Sequence, residues 1–249
     1  MKLENAVAIL TGANGGIGKE FIQALQTVGV AKIYACARKI ETLSELKASD
    51  ERIVPIELDV TNQQQVEQAA KTCSDVNLLI NNAGVSRDMG LIAAPDIEGA
   101  RLEMETNYFG TLSMCRAFAP VLKANGGGSI VNVLSMVGKV NLPFMGSYCA
   151  SKAAEISLNQ GVRAELGAQG TLVIGVMPAT VDTEFAKNYP PPKVSPGEVV
   201  RQTLQAVVDG VEDVYPGEQA TYLAAELLKD PKAVEKQVAG LLPELYPFV

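Results

Sequence analysis

A phenol and an ammonium stand four residues apart in Tyr148-Cys149-Ala150-Ser151-Lys152. On a helix that spacing puts both on one face, about one turn apart. A free tyrosine, with a pKa of about 10, is a poor acid or base at neutral pH, but a neighbouring cation stabilises the phenolate and lowers that value. The pair therefore reads as a proton-transfer device, although Tyr-x-x-x-Lys also arises by chance on amphipathic helices. The chain contains no histidine, which removes His-based zinc sites, Ser-His-Asp triads and imidazole bases together. Acid–base chemistry falls to Tyr, Lys, Cys or carboxylates. Ser135 ends the apolar run Ser129 to Leu134, where a hydroxyl can hold a polarised oxygen or simply serve a turn. Asn107 lies in a helical segment, where Asn is disfavoured; its plain reading is a core amide with a partner.

A second constellation suits phosphate. Thr11-Gly12-Ala13-Asn14-Gly15-Gly16-Ile17-Gly18 follows a short apolar run and leads into a helical pattern. Glycines at 12, 16 and 18 let the turn tighten and bring backbone amides, together with the positive helix end, towards a pyrophosphate. The next strand ends at Cys36-Ala37-Arg38-Lys39. A carboxylate there would accept from a ribose hydroxyl, whereas the Arg38 fork can pair with a ribose phosphate; a solvated basic pair is the alternative. Asp59-Val60-Thr61 also reads as a helix-leading cap, and Asn81-Asn82-Ala83-Gly84 as a turn after a strand.

These residues need a frame. Short β-branched runs alternate with amphipathic segments, the signature of βαβ units. Strands are expected at Val7 to Leu10, Lys32 to Cys36, Ile53 to Glu57, Leu78 to Ile80, Ser129 to Leu134, Leu172 to Val176 and Val211 to Tyr215. Helices are expected at Gly16 to Val28, Gln63 to Cys73, Thr106 to Lys123 and Tyr148 to Leu166, then from Ser195-Pro196-Gly197-Glu198, where a Ser cap and a Glu at the third position satisfy free amides. Further helices are expected at Ala220 to Leu228 and Pro231 to Leu242. The fold class is α/β, a doubly wound parallel sheet of about seven strands with helices on both faces. One domain spans 1–249, with a loop at about 184–195 and a helical segment at about 218–249.

With 47% hydrophobic and 20% charged residues, a packed core is expected and disorder is not. A net charge of −7 argues against nucleic acid as a partner. The N-terminal residues read as a first strand, and no apolar stretch reaches membrane-spanning length. Cys36, Cys73, Cys115 and Cys149 lack metal-ligand spacing and read as buried thiols in a reducing cytoplasm; no metal site is expected.

In this order, from Thr11 to about Thr183, the motifs resemble the single-domain short-chain dehydrogenases/reductases, whose fold is Rossmann-like. The resemblance implies NADP(H) as cofactor, Tyr148 as proton donor and Lys152 on the nicotinamide ribose. Ser135 would hold the substrate oxygen, and Asn107 would anchor a water in a proton relay. It further implies cofactor contacts from Gly12, Asn14, Gly16, Ile17, Gly18, Arg38, Asp59 and Val60. Asn82, Ala83 and Gly84 would border the adenosine side. Pro178, Val181 and Thr183 would lie beside the nicotinamide, with Ala179 where the family usually has glycine.

Leu142, Phe144, Met145, Phe185 and Tyr189 offer an apolar substrate pocket, or packing beneath a loop. The expected reaction is NADPH-dependent reduction of an aldehyde or ketone. Alternatives are an alcohol or hydroxysteroid dehydrogenase working oxidatively, and a redox sensor that binds NADP(H) without turnover. The two central helices match those through which relatives associate, so a homodimer or homotetramer is expected.

Overall fold

Strands that are apolar on both faces must be covered on both faces, and that requirement organises the chain. The computed structural model describes residues 1–242. It holds β1 (Val7–Thr11), β2 (Lys32–Ala37), β3 (Ile53–Glu57), β4 (Leu78–Asn81), β5 (Ser129–Val133), β6 (Leu172–Val176) and β7 (Asp213–Val214). All neighbouring pairs are parallel, in the order β3-β2-β1-β4-β5-β6-β7. Alternate residues feed different cores. Leu10, Ile33, Ile80 and Val131 join Phe21 and Leu25 on one side, while Ile9, Leu79 and Ile130 join Phe118 and Leu122 on the other.

The helices are α1 (Gly16–Thr27), α2 (Ser44–Ser49), α3 (Gln63–Thr72), α4 (Glu98–Glu103), α5 (Thr111–Ala124), α6 (Gly146–Leu166), α7 (Pro196–Asp209), α8 (Gly217–Lys229) and α9 (Pro231–Ala239). The first and seventh pack together over one face; α3, α5 and α6 cover the other. Strand order reverses between β1 and β4, so the turns leaving their carboxyl ends part and open a crevice, the place where such sheets bind ligands.

Three expectations differ from the structure, and one helix, α2, was not expected. The helix expected from Thr106 begins at Glu98 and passes through a π-helical stretch, Met104–Gly110, before α5. Its start is illegible in sequence because Ile97 caps it without a side-chain hydrogen bond. The short α2 escapes a sequence reading because none of its residues is buried, so no apolar stripe marks it. The last strand has two residues rather than five, being an edge strand paired only to β6. Ser195 does cap α7 through the Glu198 amide, but the Glu198 carboxylate turns to Arg201, 2.7 Å away, instead of back to the cap. Of the expected C-terminal helical segment, residues 243–249 lie outside the described residues.

Beneath the crevice runs a ladder of buried amides. Asn81 Nδ2 donates to Asn132 Oδ1 and Asn132 Nδ2 to Asn159 Oδ1, each at 2.8 Å, linking β4, β5 and α6. Stranding a buried donor or acceptor costs about 1–3 kcal/mol. Asn132→Ala strands one of each, and we expect a loss of about 3 kcal/mol in urea unfolding; a loss below about 1 kcal/mol would mean the ladder is not a stabilising feature.

Candidate active site

The turn after β1 is built to receive an anion. Gly12 has a positive φ of 65°, and a Cβ on Gly18 would stand 2.2 Å from the Gly12 carbonyl oxygen, so the helix can approach the strand only with glycine there. Gly15 caps α1 in extended conformation with no side-chain hydrogen bond and no acidic residue in the first turn. The first-turn amides, including that of half-buried Ile17, therefore keep their donor capacity at the positive end of the helix. This geometry fits a dinucleotide pyrophosphate. Thr183 closes the far side, since a Cβ on Gly16 would lie 2.6 Å from its methyl.

Neighbouring turns brace this cradle. Asn82 Nδ2 donates to the carbonyls of Thr11 and Gly12 at 3.0 and 3.1 Å, and the amides of Asn82 and Ala83 both donate to Thr11 Oγ1. Asn14 points away, its amide on Thr42 Oγ1 at 3.1 Å. Arg38 is exposed directly after β2. Asp59 Oδ1 accepts from the amide and hydroxyl of Thr61, although the residue capping α3 is Asn62. Val60 is buried and covers Gly110. Val181 is buried and bridges to Val194, while the Pro178 carbonyl accepts from the Met136 amide.

The proton-transfer candidates gather at the carboxyl end of β5. Lys152 Nζ donates to the Val133 carbonyl at 3.0 Å and lies 5.8 Å from the centre of the Tyr148 ring. It also meets the Glu155 carboxylate at 2.6 Å, with side-chain exposures of only 5% and 3%. Ser135, two residues past Val133, holds its hydroxyl in long bonds, 3.3 Å from the Val137 amide and 3.4 Å from the Pro178 carbonyl. Such bonds exchange easily for a substrate oxygen.

Asn107 sits in the π-helical stretch, fully buried. Its side chain bonds both the amide and the carbonyl of Val85, at 2.9 and 3.0 Å, and donates to Ser151 Oγ at 2.9 Å. Those bonds engage both hydrogens of its amide nitrogen and one lone pair of its oxygen. Gly84 lies against this pair; a Cβ there would be 3.4 Å from Asn107 Oδ1 and 3.8 Å from Lys152 Nζ.

The expected lowering of the Tyr148 pKa does not occur in the chain alone. Burial, and after it the Glu155 charge, push the phenol above its ordinary value. The cation expected to lower it is engaged by its own carboxylate, which burial likewise raises. Sequence reasoning misses Glu155, and also Glu103, a wholly buried carboxylate that accepts from the Arg87 amide at 2.7 Å. Both look like ordinary helix charges, and only three-dimensional packing distinguishes them.

On the substrate side, Phe185 lies 5.9 Å from the Tyr148 ring and Phe144 lies 6.0 Å from Tyr189, centre to centre. Burial raises the Tyr189 phenol, and the nearby Asp88 carboxylate adds to it. Met145 is buried before α6. Leu142 instead packs with Val234 and Val238 of α9, which sets it apart from the aromatic group.

The family model described as short chain dehydrogenase matches residues 6–193. The chain belongs to the short chain dehydrogenase family. A solved short chain dehydrogenase from Burkholderia cenocepacia, in complex with NADP, is 46% identical, with a TM-score of 0.91 over 96% of this chain and 99% of that one. Among curated relatives, dehydrogenase/reductase SDR family member 7B of Xenopus laevis is 32% identical over 75% of this chain, which spans 61% of that protein. An NADP-dependent 3-hydroxy acid dehydrogenase of Schizosaccharomyces pombe is 28% identical over 74% of this chain and 75% of that protein. The fold of this chain, a seven-stranded parallel sheet between helices, is shared with the Burkholderia structure.

Cys149 adjoins Tyr148 and could pass for a nucleophile, but burial pushes its thiol up to about 11. At pH 8 that leaves a thiolate fraction of roughly 0.1%. We expect iodoacetamide to leave Cys149 unmodified in the folded protein and to alkylate it after denaturation, as read by peptide mass spectrometry. Rapid native labelling would make the thiol a reactive group.

Proposed function

We propose that this protein is an NADP(H)-dependent oxidoreductase that reduces a carbonyl, an aldehyde or ketone, to the alcohol. The observation that carries the reading is the placing of the Lys152 ammonium between the end of β5 and the Tyr148 ring, beside the loosely held Ser135 hydroxyl. The NADP bound in the Burkholderia structure, and the NADP dependence carried in the name of the yeast enzyme, support the cofactor. Arg38, exposed where a ribose phosphate would be read, supports it independently.

When bound, the cofactor supplies a hydride donor or acceptor. The chain's own residues then do the following work. The glycine turn and the α1 amides hold the pyrophosphate, Thr183 and Pro178 border the nicotinamide end, and Arg38 pairs with the 2′-phosphate. Asp59, Val60 and Asn82 to Gly84 line the adenosine side. Lys152 donates to the ribose hydroxyls. Ser135 Oγ donates to the substrate oxygen, and Tyr148 Oη delivers the proton to it. Phe144, Met145, Phe185 and Tyr189 exclude water from the reacting carbon and favour apolar substituents.

A cytoplasmic homo-oligomer with a small-molecule substrate is part of this reading. Its support is family membership and the absence, among the described residues, of a helix long and apolar enough to cross a membrane.

The test is loss of reduced-nicotinamide absorbance with NADPH and NADH in parallel, across aldehydes, ketones, diketones and ketoesters. Consumption favouring NADPH is expected. Binding of NADPH without consumption of any carbonyl would revive the redox-sensor reading, and strong oxidation of secondary alcohols with weak reduction would favour the dehydrogenase direction.

Two substitutions sharpen the test. Tyr148→Phe removes only the transferable proton, so we expect at least about a hundredfold loss of kcat with NADPH affinity retained; near-normal turnover would remove Tyr148 from its role. Arg38→Asp replaces a phosphate partner with a repelling charge, and the ratio of kcat/KM for NADPH over NADH should fall at least tenfold, about 1.4 kcal/mol. An unchanged ratio would mean that another group reads the 2′-phosphate.

A further inference from the structure

The carboxylate against Lys152 has no part in the reaction just described, yet it is the ion partner of the residue that holds the site together. Glu155 lies one helical turn beyond Lys152 on α6, its side chain 3% exposed and its carboxylate 2.6 Å from Nζ. Thr111 Oγ1, on α5, donates to Glu155 Oε1 at 3.1 Å. The Val133 carbonyl takes an ammonium hydrogen at 3.0 Å. An ammonium has three donors; the Val133 carbonyl takes one as a hydrogen bond, and the Glu155 carboxylate holds the head as its ion partner.

A carboxylate this deep stays ionised only where a cation and further donors compensate its desolvation; Lys152 and Thr111 supply both. We propose that Glu155 is a positioning residue that fixes the direction of the Lys152 ammonium and, by offsetting its charge, sets the pH at which Tyr148 exchanges its proton. This rests on the reading of Tyr148 and Lys152 given above.

The charged and titratable groups facing Tyr148 come from several elements. Lys152, Glu155 and Cys149 belong to its own helix, Glu103 to α4, Asp88 to the loop after β4, and Tyr189 to the loop after β6. Among the carboxylates, Glu155 raises the Tyr148 phenol most. Its field also reaches the Cys115 thiol on α5, which burial and Glu155 push up to about 12. Removing a like-signed neighbour favours the phenolate, so neutralising Glu155 must lower the Tyr148 midpoint.

The experiment labels the protein with a polyfluorinated tyrosine, whose ring fluorines acidify the phenol by several pH units and so offset the upward push of burial, and follows the seven tyrosines by fluorine NMR. The Tyr148→Phe variant identifies the Tyr148 resonance by its disappearance. In Glu155→Gln, which keeps shape and the Thr111 bond, the Tyr148 midpoint should fall by about 1 pH unit. In Glu155→Asp, whose retracted carboxylate leaves Lys152 less compensated, it should fall by part of that amount.

A midpoint that stays in place or rises in the folded Gln variant overturns the proposal. A purely structural role would lower the melting temperature without moving the midpoint. Should the Gln variant fail to fold, the Asp variant decides by the same criterion. The titration uses neither cofactor nor substrate, so failure to bind NADPH or to consume a carbonyl would defeat the proposed function while leaving the role of Glu155 to be decided on its own.

Discussion

One hydrogen bond carries much of this architecture: Lys152 Nζ to the main-chain carbonyl of Val133. A lysine tail buried to 4% exposure is costly unless its head is satisfied. Here the head finds its partner at the last residue of a central strand, and α6 is thereby tied to the sheet edge where ligands bind. Tyr148 rides on the same helix, one turn away. Ser135 leaves the same strand two residues later. The relative placement of three reactive groups thus reduces to one contact between one helix and one strand, both deep in the core.

The surroundings serve that contact. Gly138 admits the close approach, since a Cβ there would stand 2.8 Å from the Lys152 carbonyl. Asn107 fixes Val85 and Ser151 together, so the chain leaving β4 is held against α6. The asparagine ladder fastens the same helix lower down. Each of these is a polar or steric device inside an apolar frame, and each sits on the carboxyl side of β4, β5 and β6. Preorganisation of this kind keeps reacting groups in place without reorganisation at the moment of reaction.

Most of the frame was legible in the sequence because it rests on local signals. Six strands are continuous apolar runs, and the phosphate turn and the Tyr–Lys face depend on spacings of a few residues. What was not legible depends on distance in the chain. Asn132 and Asn159 lie 27 residues apart, and nothing near either one announces the other. Glu155 follows Lys152 by three positions and looks like an ordinary surface ion pair; only the packing of α5 over it makes it a buried charge. The same packing reverses the expected direction of the Tyr148 pKa. Proximity to a cation was readable, whereas that cation's prior engagement was not.

The π-helical stretch has a consequence for helical phase. A π turn holds one residue more than an α turn, and one residue corresponds to about 100° of rotation about the axis. The face that Glu98–Glu103 presents is therefore turned by about that angle from where a continuous α-helix through α5 would place it. Wholly buried Glu103 and Asn107 precede Thr111 of α5 at spacings of four, which a regular helical wheel would set on one face; the π turn separates in space what the sequence lines up. The stretch acts as a dislocation between two amphipathic patterns. Deleting one residue within it would let the stretch return to regular α-helix with the faces on either side still in place, so the extra residue is carried by the bulge and not by the packing around it.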